Sequence, residues 1–164
     1  MSGRSHLNVV GLIAAVVLGC ATRAAAQETV NMTVPAGVSF SVADVSAATA
    51  GSPGPSVVTF SGGTWPPPGG RRFAISVRAE AATFTPPAGG SIPASYVKWT
   101  ASTSSGTASG GTLSSSAFTE VYRSLTNTPA GLVNVSWELA ALSAVSNLRA
   151  GTHTLTVRWR LELQ

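Results

Sequence analysis

Residues 154–163 read Thr-Leu-Thr-Val-Arg-Trp-Arg-Leu-Glu-Leu, and every second one is apolar: Leu155, Val157, Trp159, Leu161 and Leu163. Between them stand Thr154, Thr156, Arg158, Arg160 and Glu162. Side chains of an extended chain point alternately to opposite faces, so this stretch is a strand with one apolar and one wet face. The same period recurs upstream at 29–34, 38–42, 56–61, 73–79, 97–101, 118–123 and 133–139. Apolar residues at helical spacing do not recur, and β-branched residues with Ser and Thr dominate. Strands that bury one face pair naturally into antiparallel sheets packed face to face. The expectation is an all-β, immunoglobulin-like or pilin-like β-sandwich of about seven to nine strands.

Between these runs lie Gly/Pro-rich segments at 50–55, 62–70 and 86–90, where proline cannot donate to a ladder. They read as turns. The Ser/Thr/Gly tract at 103–116 reads as a long polar hairpin tip, and 139–148 as an irregular connection or a single helical turn.

The first 26 residues read as a leader outside the fold. Arg4 precedes an apolar run at 9–18, too short to span a bilayer, which takes about 20 residues. Ala24-Ala25-Ala26 follows, a small-residue site for signal peptidase with Gln27 as the first mature residue. A second reading uses Val17-Leu18-Gly19-Cys20, similar to a bacterial lipobox, with Cys20 carrying lipid. Both take the chain out of the cytosol, to the periplasm, the cell surface or the medium. Residues 27–164 then form a single domain with no transmembrane segment, within the usual 100–200 residues per domain.

That mature part holds eight Lys/Arg against six Asp/Glu, a net charge of +2, and no cysteine. Burial rather than disulfides must hold it together. No basic run exceeds Arg71-Arg72, which gives nucleic-acid binding no electrostatic footing.

Catalysis needs titratable groups brought together, and here they are few. His153 is the only mature histidine, and its place after Ala150-Gly151-Thr152 reads as a turn or a solvated strand edge. Glu28, Asp44, Glu80, Glu120, Glu138 and Glu162 are scattered one per strand or loop. No Gly-x-Ser-x-Gly elbow positions a serine. A zinc or copper site lacks ligands, and calcium would depend on loop carbonyls and Asp44 without an Asp-rich loop. The expectation is a non-enzyme with no cofactor and no metal.

Trp99, Trp137 and Trp159 fall on the apolar phase and read as core. Trp65 lies among Gly and Pro, just before Arg71-Arg72. It reads either as a stacking platform for a glycan or protein partner, with Arg71, Arg72 and Tyr96 as helpers, or as a lid folded over the end of the domain.

Residues 30–42, VNMTVPAGVSFSV, resemble the opening of secreted bacterial pilin-like domains of the spore-coat-U and fimbrial-subunit type. Residues 150–157, AGTHTLTV, are similar to the entry into their last strand. The chain departs from that pattern in having no cysteine near Val38 and no aromatic residue close to its C-terminus. Trp137-Glu138-Leu139 and Trp159-Arg160-Leu161 echo the W-x-L triplets of cell-wall-binding domains, but 22 residues apart they read as strand alternation. The pilin-like resemblance implies a surface-associated structural or assembly subunit. It would self-associate or join other surface proteins through strand or face contacts, with a terminal strand at 28–34 or 153–163 either internal or lent to a neighbour. The alternative is a small secreted carbohydrate- or protein-binding adhesion module that uses the Trp65 loop.

Overall fold

A computed structural model describes residues 30–61, 72–84, 90–125, 131–145 and 149–164. The leader, with Cys20, Ala26 and Gln27, lies outside the described residues. The chain is all-β and antiparallel. Its strands are β1 (Asn31–Thr33), β2 (Gly37–Val42), β3 (Thr49–Ser52), β4 (Ser56–Ser61), β5 (Phe73–Ala79), β6 (Thr83–Phe84), β7 (Ile92–Pro93), β8 (Val97–Thr103), β9 (Thr107–Ala108), β10 (Gly111–Thr112), β11 (Thr119–Arg123), β12 (Gly131–Leu139) and β13 (Gly151–Leu163). One 3₁₀ turn, Ala94–Tyr96, leads into β8. No helix among the described residues is long and apolar enough to cross a membrane.

Two long strands organise the sheet. Strand β12 pairs β8 from Val133↔Thr103 to Leu139↔Val97 on one side. On its other side it pairs β4 and then β3. Strand β13 pairs β2 through its first half, Gly151–Thr156, and β5 through its second, Val157–Leu163. Strand β5 continues the ladder to β11. Strand β3 joins the two groups, since it pairs both β12 and β2.

The two groups meet in one core because the alternating apolar residues of each turn toward the other. Phe60 of β4 lies 5.0 Å from Phe73 of β5, edge to face, and 5.1 Å from Tyr122 of β11. Trp137 of β12 stands between Trp99 of β8 at 5.9 Å and Trp159 of β13 at 6.1 Å. Such aromatic pairs contribute beyond their buried area. Trp99 and Trp137 are buried, while Trp159 is half-buried and donates its Nε1–H to the Pro35 carbonyl at 3.2 Å.

Two segments depart from the sequence expectations. Residues 49–52 pair as β3, although Gly51, Ser52 and Pro53 suggest a turn from residue 50 onward. The glycine is what permits it: a Cβ at Gly51 would meet Val38 Cγ2 at 2.7 Å, Trp137 Cβ at 2.8 Å and Phe40 Cε1 at 3.0 Å. Backbone here must pass close to side chains of both groups, and only glycine allows it. Gly51→Ala is expected to destabilise the protein by about 1–3 kcal/mol, the usual range for overpacking, as read from urea unfolding.

The 103–116 tract is not a free hairpin tip. Strand β9 pairs β11 and β10 pairs β8, so the tract shuttles between the two groups. Leu113 is buried, and its amide donates to the Val97 carbonyl at 2.8 Å. Serine hydroxyls supply its turns, with Ser114 Oγ accepting from the amides of Ser116 and Ala117. The chain after β10 also runs alongside the end of β5, a strand whose outward Ala74 and Ser76 are buried rather than wet. Ala79 donates its amide to Ser114 O, and Arg78 Nη1 reaches Ser115 O.

Residues 140–145 take the irregular-connection alternative, with one turn closed by the Val145 amide donating to Leu142 O at 2.8 Å. Leu142 is buried and donates its amide to Val45 O at 2.7 Å, and Ala140 donates to Tyr96 O. Residues 146–148 lie outside the described residues.

Candidate functional site

The outward side chains of β10, β8 and β12 form rows fixed by strand register. Thr112 sits opposite Lys98, and Lys98 opposite Glu138. Thr100 sits opposite Ser136 in the next row. All five are exposed. Together with Trp99, Gly111 and Trp137 they line a cavity of about 520 Å³. Lys98 and Glu138 take part in no ion pair or side-chain hydrogen bond among the described residues. Toward β4 the same outer face carries Asn134, Val57, Leu132 and Thr59, with Leu132 opposite Thr59 and Asn134 opposite Val57. Val57 and Leu132 are thus diagonal neighbours, 46% and 40% exposed.

The outer face of β13 and β5 has the opposite character. Arg158 stands directly across from Arg78, a like-charge placement that destabilises a sheet unless relieved. Two contacts relieve it. Arg158 forms a salt bridge with Glu80. Arg78 lies over the Phe118 ring at 5.0 Å, and Arg160 lies over the same ring at 4.4 Å. Arg160 also pairs with Glu162 at 3.1 Å, and on β11 Arg123 grips Glu120 at 2.5 Å.

These pairs set the acid response. Glu80 is held below the ordinary glutamate value, chiefly by its hydrogen bonds from Arg158. Asp44 is lowered by the hydroxyl and then the amide of Ser46. A carboxylate with a depressed folded-state value adds stability above its unfolded value and loses it as pH falls through the folded one. The melting temperature is therefore expected to decline as pH drops below about 4.5. Glu80→Gln should flatten part of that decline, and added salt should weaken it, because both groups are exposed. Thermal melts across pH and salt check this.

The residues singled out in the sequence fall in separate places. Trp65 and Arg71 lie outside the described residues. Arg72 exchanges backbone hydrogen bonds with Gln164 at 2.8 Å, and its guanidinium donates to the carbonyls of Ser124 and Leu125. Tyr96 is half-buried in the 3₁₀ turn, packed against the core. Arg72 precedes Phe73, whose ring meets Phe60 opposite Gly131, whereas Tyr96 bonds Ala140 beyond Leu139. The two thus sit near opposite ends of the nine-residue β12, about 25–30 Å apart. They do not share one site.

His153 is not a solvated edge residue. It lies opposite Phe40 in the β13–β2 ladder and is fully buried. Neither ring nitrogen has a hydrogen-bond partner among the described residues. No group of three or more His, Cys, Asp or Glu among the described residues could hold a metal ion.

The Lys98–Glu138 groove was not singled out by sequence reasoning. Both residues were visible as the wet phase of their strands, but only register places them opposite each other. No protein-family model, no curated protein and no solved structure matches the chain.

Proposed function

We propose that this chain is an exported, non-enzymatic structural or assembly subunit of a bacterial surface, an immunoglobulin-like or pilin-like sandwich that associates through strand-edge and sheet-face contacts. The observation that carries this reading is the edge at β1. That strand pairs β4 over Asn31–Thr33 and no other described strand, so its second side offers unpaired backbone groups. Beside it, on the outer face of β4 and β12, lie the exposed Val57 and Leu132. An incoming strand at β1 would extend the ladder, and the body of the subunit that lends it would cover this apolar pair.

The far terminus favours the same choice of edge. Strand β13 pairs along all its length with its own chain, β2 over Gly151–Thr156 and β5 over Val157–Leu163, so it is held far more firmly than the three-residue β1 as a strand to lend. A lent strand therefore belongs at the N-terminal side. The carboxylates Glu80, Glu120 and Glu162 are likewise committed to the chain's own arginines, a structural use of charge.

The test pairs two changes. Val57→Asp with Leu132→Asp should abolish association of the purified protein while leaving its melting temperature within a few degrees, because both side chains are exposed. Deletion of residues 27–34 should abolish it as well. Association unchanged by both would contradict the reading.

A further inference from the structure

Opposite charges directly across an antiparallel pair ordinarily settle on each other. Lys98 and Glu138 face each other on β8 and β12 without doing so. The ammonium thus keeps its donors and the carboxylate its acceptors for something else. Around them stand three hydroxyls, Thr100, Thr112 and Ser136, each able to donate and accept. We infer that the groove between β10, β8 and β12 is a binding site for a neutral saccharide, with Lys98 donating to ring hydroxyls and Glu138 accepting from them.

Charge, chemistry and size agree on this class. The two charged side chains cancel, so the groove holds no net field for an anion or a cation. A ligand rich in hydroxyls both donates and accepts, which matches all five polar side chains at once. A zwitterion such as a free amino acid would engage only Lys98 and Glu138 and leave the three hydroxyls unused. The volume of about 520 Å³ falls within the range of small-molecule sites, and its floor is the backbone at Trp99, Gly111 and Trp137, with both indoles turned into the core. The arginine face of β13 and β5 offers no such match, because its guanidinium groups are spent on Glu80, Glu162 and Phe118. The saccharide site is separate from the β1 edge and does not depend on the assembly reading.

The test is a titration of the isotope-labelled, purified protein with cellotriose, maltotriose and chitotriose, followed by backbone amide NMR. At least one should give saturable shifts concentrated at residues 98–100, 111–112 and 136–138. Lys98→Met and Glu138→Gln should each weaken that binding by about tenfold or more, the loss of one charge-assisted hydrogen bond, with an unchanged melt. Ser136→Ala, a milder change at the same face, should weaken it less. Free glycine should leave the amides unmoved. No saturable shift from any of the three sugars, shifts centred elsewhere, binding undiminished in both charge variants, or a response to glycine at the groove would each overturn the assignment.

Discussion

Trp137→Ala is expected to cost about 3–5 kcal/mol, the largest loss from any single core truncation in this chain. The indole is 3% exposed and stands where both groups of strands meet, touching Trp99 within its own group and Trp159 across the core. Its Nε1–H donates to Ser56 Oγ at 3.0 Å, and Ser56 is itself fully buried. Truncation therefore opens a cavity and removes a donor from a buried hydroxyl, two penalties that add. Domains of this size hold only about 5–15 kcal/mol in total, so the variant should unfold at modest urea or accumulate poorly. Trp137→Phe keeps a ring but loses the donor, and should cost about half as much. Urea unfolding followed by circular dichroism separates them, since it does not depend on the tryptophan removed. A loss under about 1 kcal/mol for alanine would mean that the two groups of strands do not depend on this contact.

The second large effect lies at His153, and its sign depends on the replacement. An imidazole buried without a hydrogen-bond partner carries an uncompensated desolvation cost of about 1–3 kcal/mol. His153→Leu removes that cost and fills similar space opposite Phe40, so it is expected to leave stability unchanged or raise it by about 1 kcal/mol. His153→Asp places an ionisable carboxyl in the same apolar surroundings with no cation to meet it, and should prevent folding. Melting temperatures of the two variants decide the matter. A clear loss of stability in the leucine variant would show that the ring nitrogens are in fact satisfied.

How much of this could be read in advance depends on whether the information is local. The strands at 56–61 and 73–79 appear with the bounds that alternation implies, because burial of one face imposes period 2 on the sequence itself. His153 also had a readable position: two residues before Leu155, it shares the inner phase of its strand. The preceding Gly151 suggested a turn, but the strand begins at that residue and carries the imidazole inside.

Other features were legible only in part, because their causes are distant in the chain. Strand β3 exists through its neighbours on β2 and β12, and nothing within Thr-Ala-Gly-Ser announces them. The 103–116 tract looks polar throughout, yet Leu113 ties it to Val97 across the sheet. The burial of Ala74 and Ser76 on the outer side of β5 is likewise not announced by its alternation. Lys98 and Glu138 are separated by 40 positions, and only the β8–β12 register makes them a pair. The pairing of Arg78 with Arg158, and its relief by Phe118, is hidden for the same reason.

Assembly through the β1 edge is the central claim, and molar mass tests it most directly. The purified protein should be followed by light scattering over a wide concentration range, beside the same protein lacking residues 27–34. The account predicts a mass that rises with concentration toward oligomers or fibres in the full protein and stays at the monomer value in the trimmed one. A full-length protein that remains monomeric at every concentration, with one sharp melt, would contradict it.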